Sequence, residues 1–409
     1  MLRWTEEPLG DAIVDVVLSL NTLVEERYGQ EVATASYSHV GSTLQTFDQI
    51  AEKIGEIDKG IVNLDGHPGD YLRAMTKAFR YFTRSLQGDN IPYPELLQGI
   101  QELPSNQIPE EKSRRLREEV TGQLTDLGYK GTTGEKITQW LEDTRIPAEM
   151  VTTVAEQFIR KSREGTLNRV TELPPGDGID SVNSIRGVFW SGYSKYQGNF
   201  RGKLTFNIDR PWTEPVLAHV MTHEGYSGHQ AFYCLWDYLY QQGKWPLEAS
   251  YYLINSPTNA LFEGGPEVSL HFLGWDCDEI EGISREQRAQ YQLAKNYRDM
   301  QRIAMMNACY QANLGQVNKE DALEYMLRTG YVQGIEADNA YRFFMDPIKR
   351  TYYPSYYHGR WIVGKAYDLI EVEKRADFFK ILYHTPHSTQ TFIQAIRQLT
   401  GRDFDPFVD

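Results

Sequence analysis

The sequence predicts a mainly α-helical protein of two lobes, residues 1–175 and 176–409, carrying a small antiparallel β element. Three observations lead to this class. Apolar residues recur at three- and four-residue spacings over most of the chain, the period of helices with one buried face. One short segment, Lys203-Leu204-Thr205-Phe206-Asn207-Ile208, alternates polar and apolar, as a half-buried strand does. The chain has 409 residues, more than one ordinary core usually serves, and its 41% apolar and 24% charged residues are ordinary for a globular protein.

In chain order, residues 11–27 place Ile13, Val16, Val17, Leu20, Leu23 and Val24 on one helical face and stop near Gly29. The same pattern covers 69–86 (Leu72, Met75, Phe79, Phe82, Leu86) and 110–127 (Leu116, Val120, Leu124, Leu127), and a further helix is expected at 147–163. Pro174-Pro175-Gly176-Asp177-Gly178 reads as a turn, and the lobe boundary is placed there. Aromatic and β-branched residues with glycines follow (Val188, Phe189, Trp190, Tyr193, Tyr196, Phe200), then the strand at 203–208. Helices resume at Thr213, an N-cap residue with Glu214 and Pro215 in the first turn. They are expected again over 285–312, 319–328, 336–346, 357–376 and 389–399.

Net charge is −14, which argues against nucleic acid or an anionic membrane as partner. No run approaches the roughly 18 apolar residues that span a bilayer, and the first residues lack a basic start followed by an apolar run. Cys234, Cys277 and Cys309 are far apart and odd in number, as expected of reduced thiols in a cytoplasmic protein.

The segment His223-Glu224-Gly225-Tyr226-Ser227-Gly228-His229 carries the chemistry. Two imidazoles and a carboxylate make a three-ligand zinc site with one position open, and a Glu directly after the first His is where such a site keeps its general base. His223 and His229 are six residues apart, which on a straight helix separates them by roughly 120°. The helix must therefore bulge or break, and Gly225 and Gly228 supply the freedom. His219 has the regular four-residue spacing to His223 but no Glu after it; a core residue is the expected reading, with a donor to a ligand as the alternative. Glu263 is the natural third ligand, on a helix begun by Ser256-Pro257. Glu267 would share its face and orient a ligand His through the free N–H, provided that Pro266 does not kink or restart the helix just after Glu263.

His-Glu-x-x-x-Gly-His followed by Glu263-Gly264 resembles the bacterial family called domain of unknown function 885, which is similar to gluzincin zinc metallopeptidases. Gly202-Lys203-Leu204-Thr205-Phe206-Asn207 matches its Gly-x-x-x-x-Asn strand, and Tyr356-Tyr357-His358-Gly359 its Tyr-x-x-Gly segment. The likeness covers roughly residues 185–400. The chain departs from the family at Ser227, where Pro is usual, at Gln230, where a second His is common, and at Gly265-Pro266, where Trp-Ala is usual. The resemblance implies a metallopeptidase-like helical fold with the β element beside an active-site cleft.

The expected chemistry follows. His223, His229 and Glu263 hold Zn2+, and Glu224 moves the proton. Tyr356, Tyr357 and His358 are the candidate donors to an oxyanion, with Tyr356 favoured by the resemblance. Arg360 is either a carboxylate clamp or a locally paired residue. The strand at 203–208 either pairs with an extended peptide through its edge or merely covers the site. The expected substrate is a short peptide. The alternatives are a zinc amidase or esterase acting on a small metabolite, and a non-catalytic helical protein with a degenerate site.

Overall fold

The computed structural model describes residues 1–188, 190–278 and 280–407, so Phe189 lies outside the described residues. The first half is helical: α1 (Glu7–Tyr28), α2 (Phe47–Ile61), α3 (Gly66–Gln87), α4 (Tyr93–Gln101), α5 (Glu110–Asp126), α6 (Thr133–Asp143) and α7 (Val151–Arg169), with one short strand, β1 (Ala33–Ser36). Their ends follow local chemistry. Thr132 and Glu135 form a reciprocal capping box at the start of α6, and Gly29 and Gly88 close α1 and α3 at φ 65° and 96°.

Three strands come next, β2 (Gly178–Ile185), β3 (Gly192–Gly198) and β4 (Arg201–Asn207). The sheet order is β2-β4-β3; β3 is antiparallel to β4, whereas β2 runs parallel to it. The predicted strand is thus the central one, with both edges paired, and cannot take up a peptide by edge pairing. Among the described residues, β2 and β3 are the edges of this sheet. Asn207 N–H donates to the Ser191 carbonyl, so alternation along the ladder turns the N–H and C=O groups of Gly192 and Ser194 away from β4.

The remaining elements are α8 (Glu214–Glu224), α9 (His229–Gln241), β5 (Tyr251–Leu253), α10 (Asn259–Glu267), α11 (Ser269–Phe272), α12 (Arg285–Asn313), α13 (Lys319–Gly330), α14 (Gly334–Met345), α15 (Pro354–Leu369), α16 (Arg375–His384) and α17 (Thr389–Thr400). Two expectations change here. The helix predicted over 357–376 ends at Leu369, because Ile370 turns extended and buries its side chain. Thr213 occupies the N-cap position of α8, but its hydroxyl is buried and caps nothing.

The main apolar core runs continuously from Ile13 to Phe404. It crosses the boundary at 175: β1 pairs with β5, and the Leu247 N–H donates to the Leu2 carbonyl. A smaller cluster around Val120, Trp140 and Met300 joins α5, α6 and α12. Among the described residues, no helix is long and apolar enough to cross a membrane.

Candidate metal centre

The six-residue spacing is resolved by a break. α8 ends at Glu224 and α9 begins at His229, so His223 sits in the last turn of one helix and His229 in the first turn of the next. The connection needs its glycines for close approach. A Cβ on Gly228 would lie 1.8 Å from the His223 carbonyl oxygen, and one on Gly225 would lie 2.6 Å from that of Met221. Between them Ser227 adopts φ 65°. Its hydroxyl bonds the Thr166 hydroxyl at 2.7 Å, and its carbonyl accepts from the Tyr383 hydroxyl at 2.7 Å. Proline, fixed near φ −65°, could not stand at this position.

Glu263 arrives from α10. The helix starts at Asn259, two residues after the predicted Pro257, and continues through Pro266 to Glu267 without restarting. Pro266 removes the hydrogen bond to the Phe262 carbonyl, and the helix nevertheless runs on to Glu267. Glu263 and Glu267 therefore share one face. α10 also lies backbone to backbone against α15: a Cβ on Gly264 would meet the Gly359 oxygen at 2.4 Å, and one on Gly359 would meet the Ala260 oxygen at 2.0 Å. That crossing carries Tyr352 and Tyr356 onto Glu263.

The side chains converge. His223 Nε2 is 3.4 Å from Glu263 Oε2, and His229 Nε2 is 3.7 Å from Glu263 Oε1. The two imidazoles stand perpendicular with centroids 4.7 Å apart, and donor atoms of His223, Glu224 and His229 lie within 4.8 Å of one another. His229 stacks on Phe262 at 4.5 Å, within an aromatic wall that includes Tyr233 and Tyr252. Glu263 is 1% exposed, and its Oε2, together with Nδ1 of both His223 and His229, is buried without a hydrogen-bond partner. Buried polar atoms are normally paired, so the unpartnered Glu263 Oε2, facing the Nε2 atoms of the two imidazoles, leaves a place for a further group there. Two imidazoles and a carboxylate fit Zn2+ in kind and number.

Glu224 accepts a hydrogen bond from the Ser194 N–H on the free edge of β3. Burial pushes its carboxyl up to about 7, against the pull of the neighbouring His223 ring. Burial also opposes charge on Glu263, but His229, His223 and the Tyr352 hydroxyl outweigh it and lower the pKa. Burial pushes the His229 imidazole down to about 3, whereas the carboxylates around His223 raise that ring against its burial.

Glu267 Oε1 faces His223 Nδ1 at 3.8 Å, beyond hydrogen-bond length, and accepts from Arg302 Nη2 at 2.9 Å. Its Oε2 is 3.8 Å from His219 Nε2. His219 is buried, as expected of a core residue, with Glu267 as its polar neighbour.

Of the three donors proposed near the C-terminus, only Tyr356 is in place. Its ring stacks on His223 at 6.4 Å, and its hydroxyl donates to that of Tyr352 at 3.4 Å. Tyr357 and His358 project elsewhere on α15, a consequence of helical rotation. Tyr357 packs on Trp361, and His358 Nε2 bonds the Tyr310 hydroxyl at 2.6 Å. Arg360 is paired locally, to Asp299 and to the Glu267 carbonyl at 2.9 Å, so it is no clamp for substrate. Sequence reasoning missed Tyr352, whose hydroxyl donates to Glu263 Oε1, and Arg302. Gln230, where the resembling family often has His, points to the sheet and donates to the Phe200 and Gly178 carbonyls.

No family model matches this chain, and no curated protein does. Among solved structures it is similar to the crystal structure of a "putative lipoprotein" from Colwellia psychrerythraea, at 14% identity with a TM-score of 0.57. The match covers 88% of this chain and 65% of that one. At this identity the likeness shows the fold alone, and this chain spans 65% of the length of its structural relative.

Proposed function

We propose that the chain is a zinc-dependent hydrolase acting on short peptides. The observation that carries this reading is the convergence of His223 Nε2, His229 Nε2 and Glu263 on one buried point, with Glu263 Oε2 unpartnered, beside Glu224. His223, His229 and Glu263 would hold Zn2+, which when bound supplies a Lewis acid and a more acidic water. Glu224 accepts the proton of the attacking water on its carboxylate and returns it to the leaving amine. The Ser194 N–H holds that carboxylate in position. Tyr356 offers its hydroxyl to the oxyanion developing on the carbonyl, while Tyr352 fixes Glu263. Glu267, braced by Arg302, sets a negative charge 3.8 Å from His223 Nδ1.

A peptide is favoured over a small amide or ester because β3 is an edge strand beside Glu224, with the Gly192 N–H and C=O turned away from β4 while the Ser194 N–H is held by Glu224. The likeness to domain of unknown function 885, and through it to gluzincin peptidases, belongs to the same proposal. So does a cytoplasmic setting, since the exposed thiol of Cys277 would be open to oxidation elsewhere.

The test combines metal content with activity. Glu224→Gln should keep its zinc and lose hydrolysis of a blocked and unblocked peptide library by about 10²- to 10⁴-fold. The His223→Ala/His229→Ala double variant should hold one zinc fewer than the natural chain. Equal zinc in the two would remove these ligands, and full activity in Glu224→Gln would remove the base.

A further inference from the structure

A second cluster of metal-ligating side chains lies after α10, and the proposed hydrolytic chemistry does not use it. It is built on the turn that follows α11. Gly274, at φ 75°, reverses the chain, the Asp278 N–H closes the turn on the Gly274 carbonyl at 3.0 Å, and the Trp275 N–H bonds back to the Leu270 carbonyl at 3.0 Å. Trp275 is buried between Phe158 and Tyr291, which anchors the turn in the core. Asp276 and Cys277 are thereby held against His271. Donor atoms of these three residues all lie within 4.8 Å of one another, and His271 Nδ1 is 3.0 Å from Asp276 Oδ1.

We infer that His271, Asp276 and Cys277 form a second divalent-metal site, distinct from the one between α8, α9 and α10. Three features point to it. The donors are one imidazole nitrogen, one carboxylate oxygen and one thiol sulfur, a set suited to a borderline-soft ion such as Zn2+ or Co2+. The other nitrogen of His271, Nε2, is 3.0 Å from Asp368 Oδ1 on α15. An imidazole that ligates through one nitrogen and gives its other N–H to a carboxylate is the arrangement that fixes ring orientation at metal sites. A cavity of about 90 Å³, lined in part by His271, Asp276 and Asp368, adjoins the cluster and leaves room for water at an open coordination position. Ligands around a tetrahedral ion stand about 3.4–3.8 Å apart. His271 and Asp276 are already closer than that, and the sulfur of Cys277 lies within 4.8 Å of both. Without an ion, the same His271 bridges Asp276 and Asp368 as an ion pair.

This site stands independently of the proposed hydrolase, and its test reads a signal the first centre cannot produce. Only a cysteine ligand gives cobalt(II) an intense near-ultraviolet thiolate charge-transfer band, and no cysteine is among the ligands of the first centre. Titration of the natural chain with Co2+ should develop that band. Cys277→Ser and His271→Ala should each abolish it, and Asp368→Asn should weaken cobalt binding there by about 10- to 100-fold. The His223→Ala/His229→Ala variant should keep it. Absence of the band at saturating Co2+, or its persistence in Cys277→Ser, would overturn the site. Its loss in a folded His223→Ala/His229→Ala variant would equally overturn a distinct second site.

Discussion

Tyr352 lies just before α15 and Tyr356 in its first turn, yet their hydroxyls have different duties. Tyr352 is committed to Glu263, whereas Tyr356 makes only a 3.4 Å contact to Tyr352 and can turn to a substrate. Tyr352→Phe should therefore weaken zinc binding by about 10- to 100-fold, measured by chelator competition. Tyr356→Phe should leave zinc binding unchanged and lower kcat by about 10²-fold with little effect on KM. The reverse pattern would exchange their roles. At this scale much was legible. His223, Glu224, His229 and Glu263 stand in the sequence at telling positions, and all four meet. Tyr352 did not stand out because it is one of 26 tyrosines and precedes its helix, so no spacing rule reaches it. Tyr357 and His358 adjoin Tyr356 in sequence, but neighbouring residues on a helix point about 100° apart.

Helices with one apolar stripe were legible, and α1, α3, α5, α12 and α17 lie close to where the periodicity puts them. α9 was not, although it directly follows the motif. From His229 to Asp237 every residue is buried, and a helix covered on all sides shows no stripe. The isoleucines of α2, Ile50, Ile54, Ile57 and Ile61, do carry a stripe that sequence reading can use. β2 and β3 escaped because their faces are largely half-buried or exposed, which blurs the alternation. The sequence also shows that the motif helix must deform but not how. A break needs long-range partners, here Tyr383 on α16 and Thr166 on α7. The crossing of α10 and α15 gives the prediction at this scale. Gly359→Ala forces the two backbones apart and should destabilise the protein by about 1–3 kcal/mol in urea denaturation. Because the residues leading into α15 carry Tyr352 to Glu263, the same change should weaken zinc binding. Unchanged stability and zinc affinity would show that the crossing has slack.

Across the whole molecule, one main core ties the first 175 residues to the rest, so buried titratable groups bear on the stability of the chain as a unit. Burial pushes His358 and His387 down to about 3 from an ordinary 6.5. Between those values the unfolded chain binds more protons than the folded one, so their contribution is fully present above pH 6.5 and is lost as pH falls toward 3. At pH 5 the loss is on the order of 1–2 kcal/mol for each imidazole. Replacing His387 by Gln should reduce the drop in urea midpoint between pH 7 and pH 5, and an identical drop would remove His387 from the account.

The break between α8 and α9 also bears on how this chain can change over time. Gly225 and Gly228 have no room for a side chain, and left-handed Ser227 between them excludes proline. None of the three offers a ligand or a proton, yet together they set the distance between two imidazoles. Mutational drift can therefore silence the proposed chemistry through residues that take no part in it. Variants with every ligand intact and the helices still folded would then carry a motif that reads as active in sequence and is inert in fact.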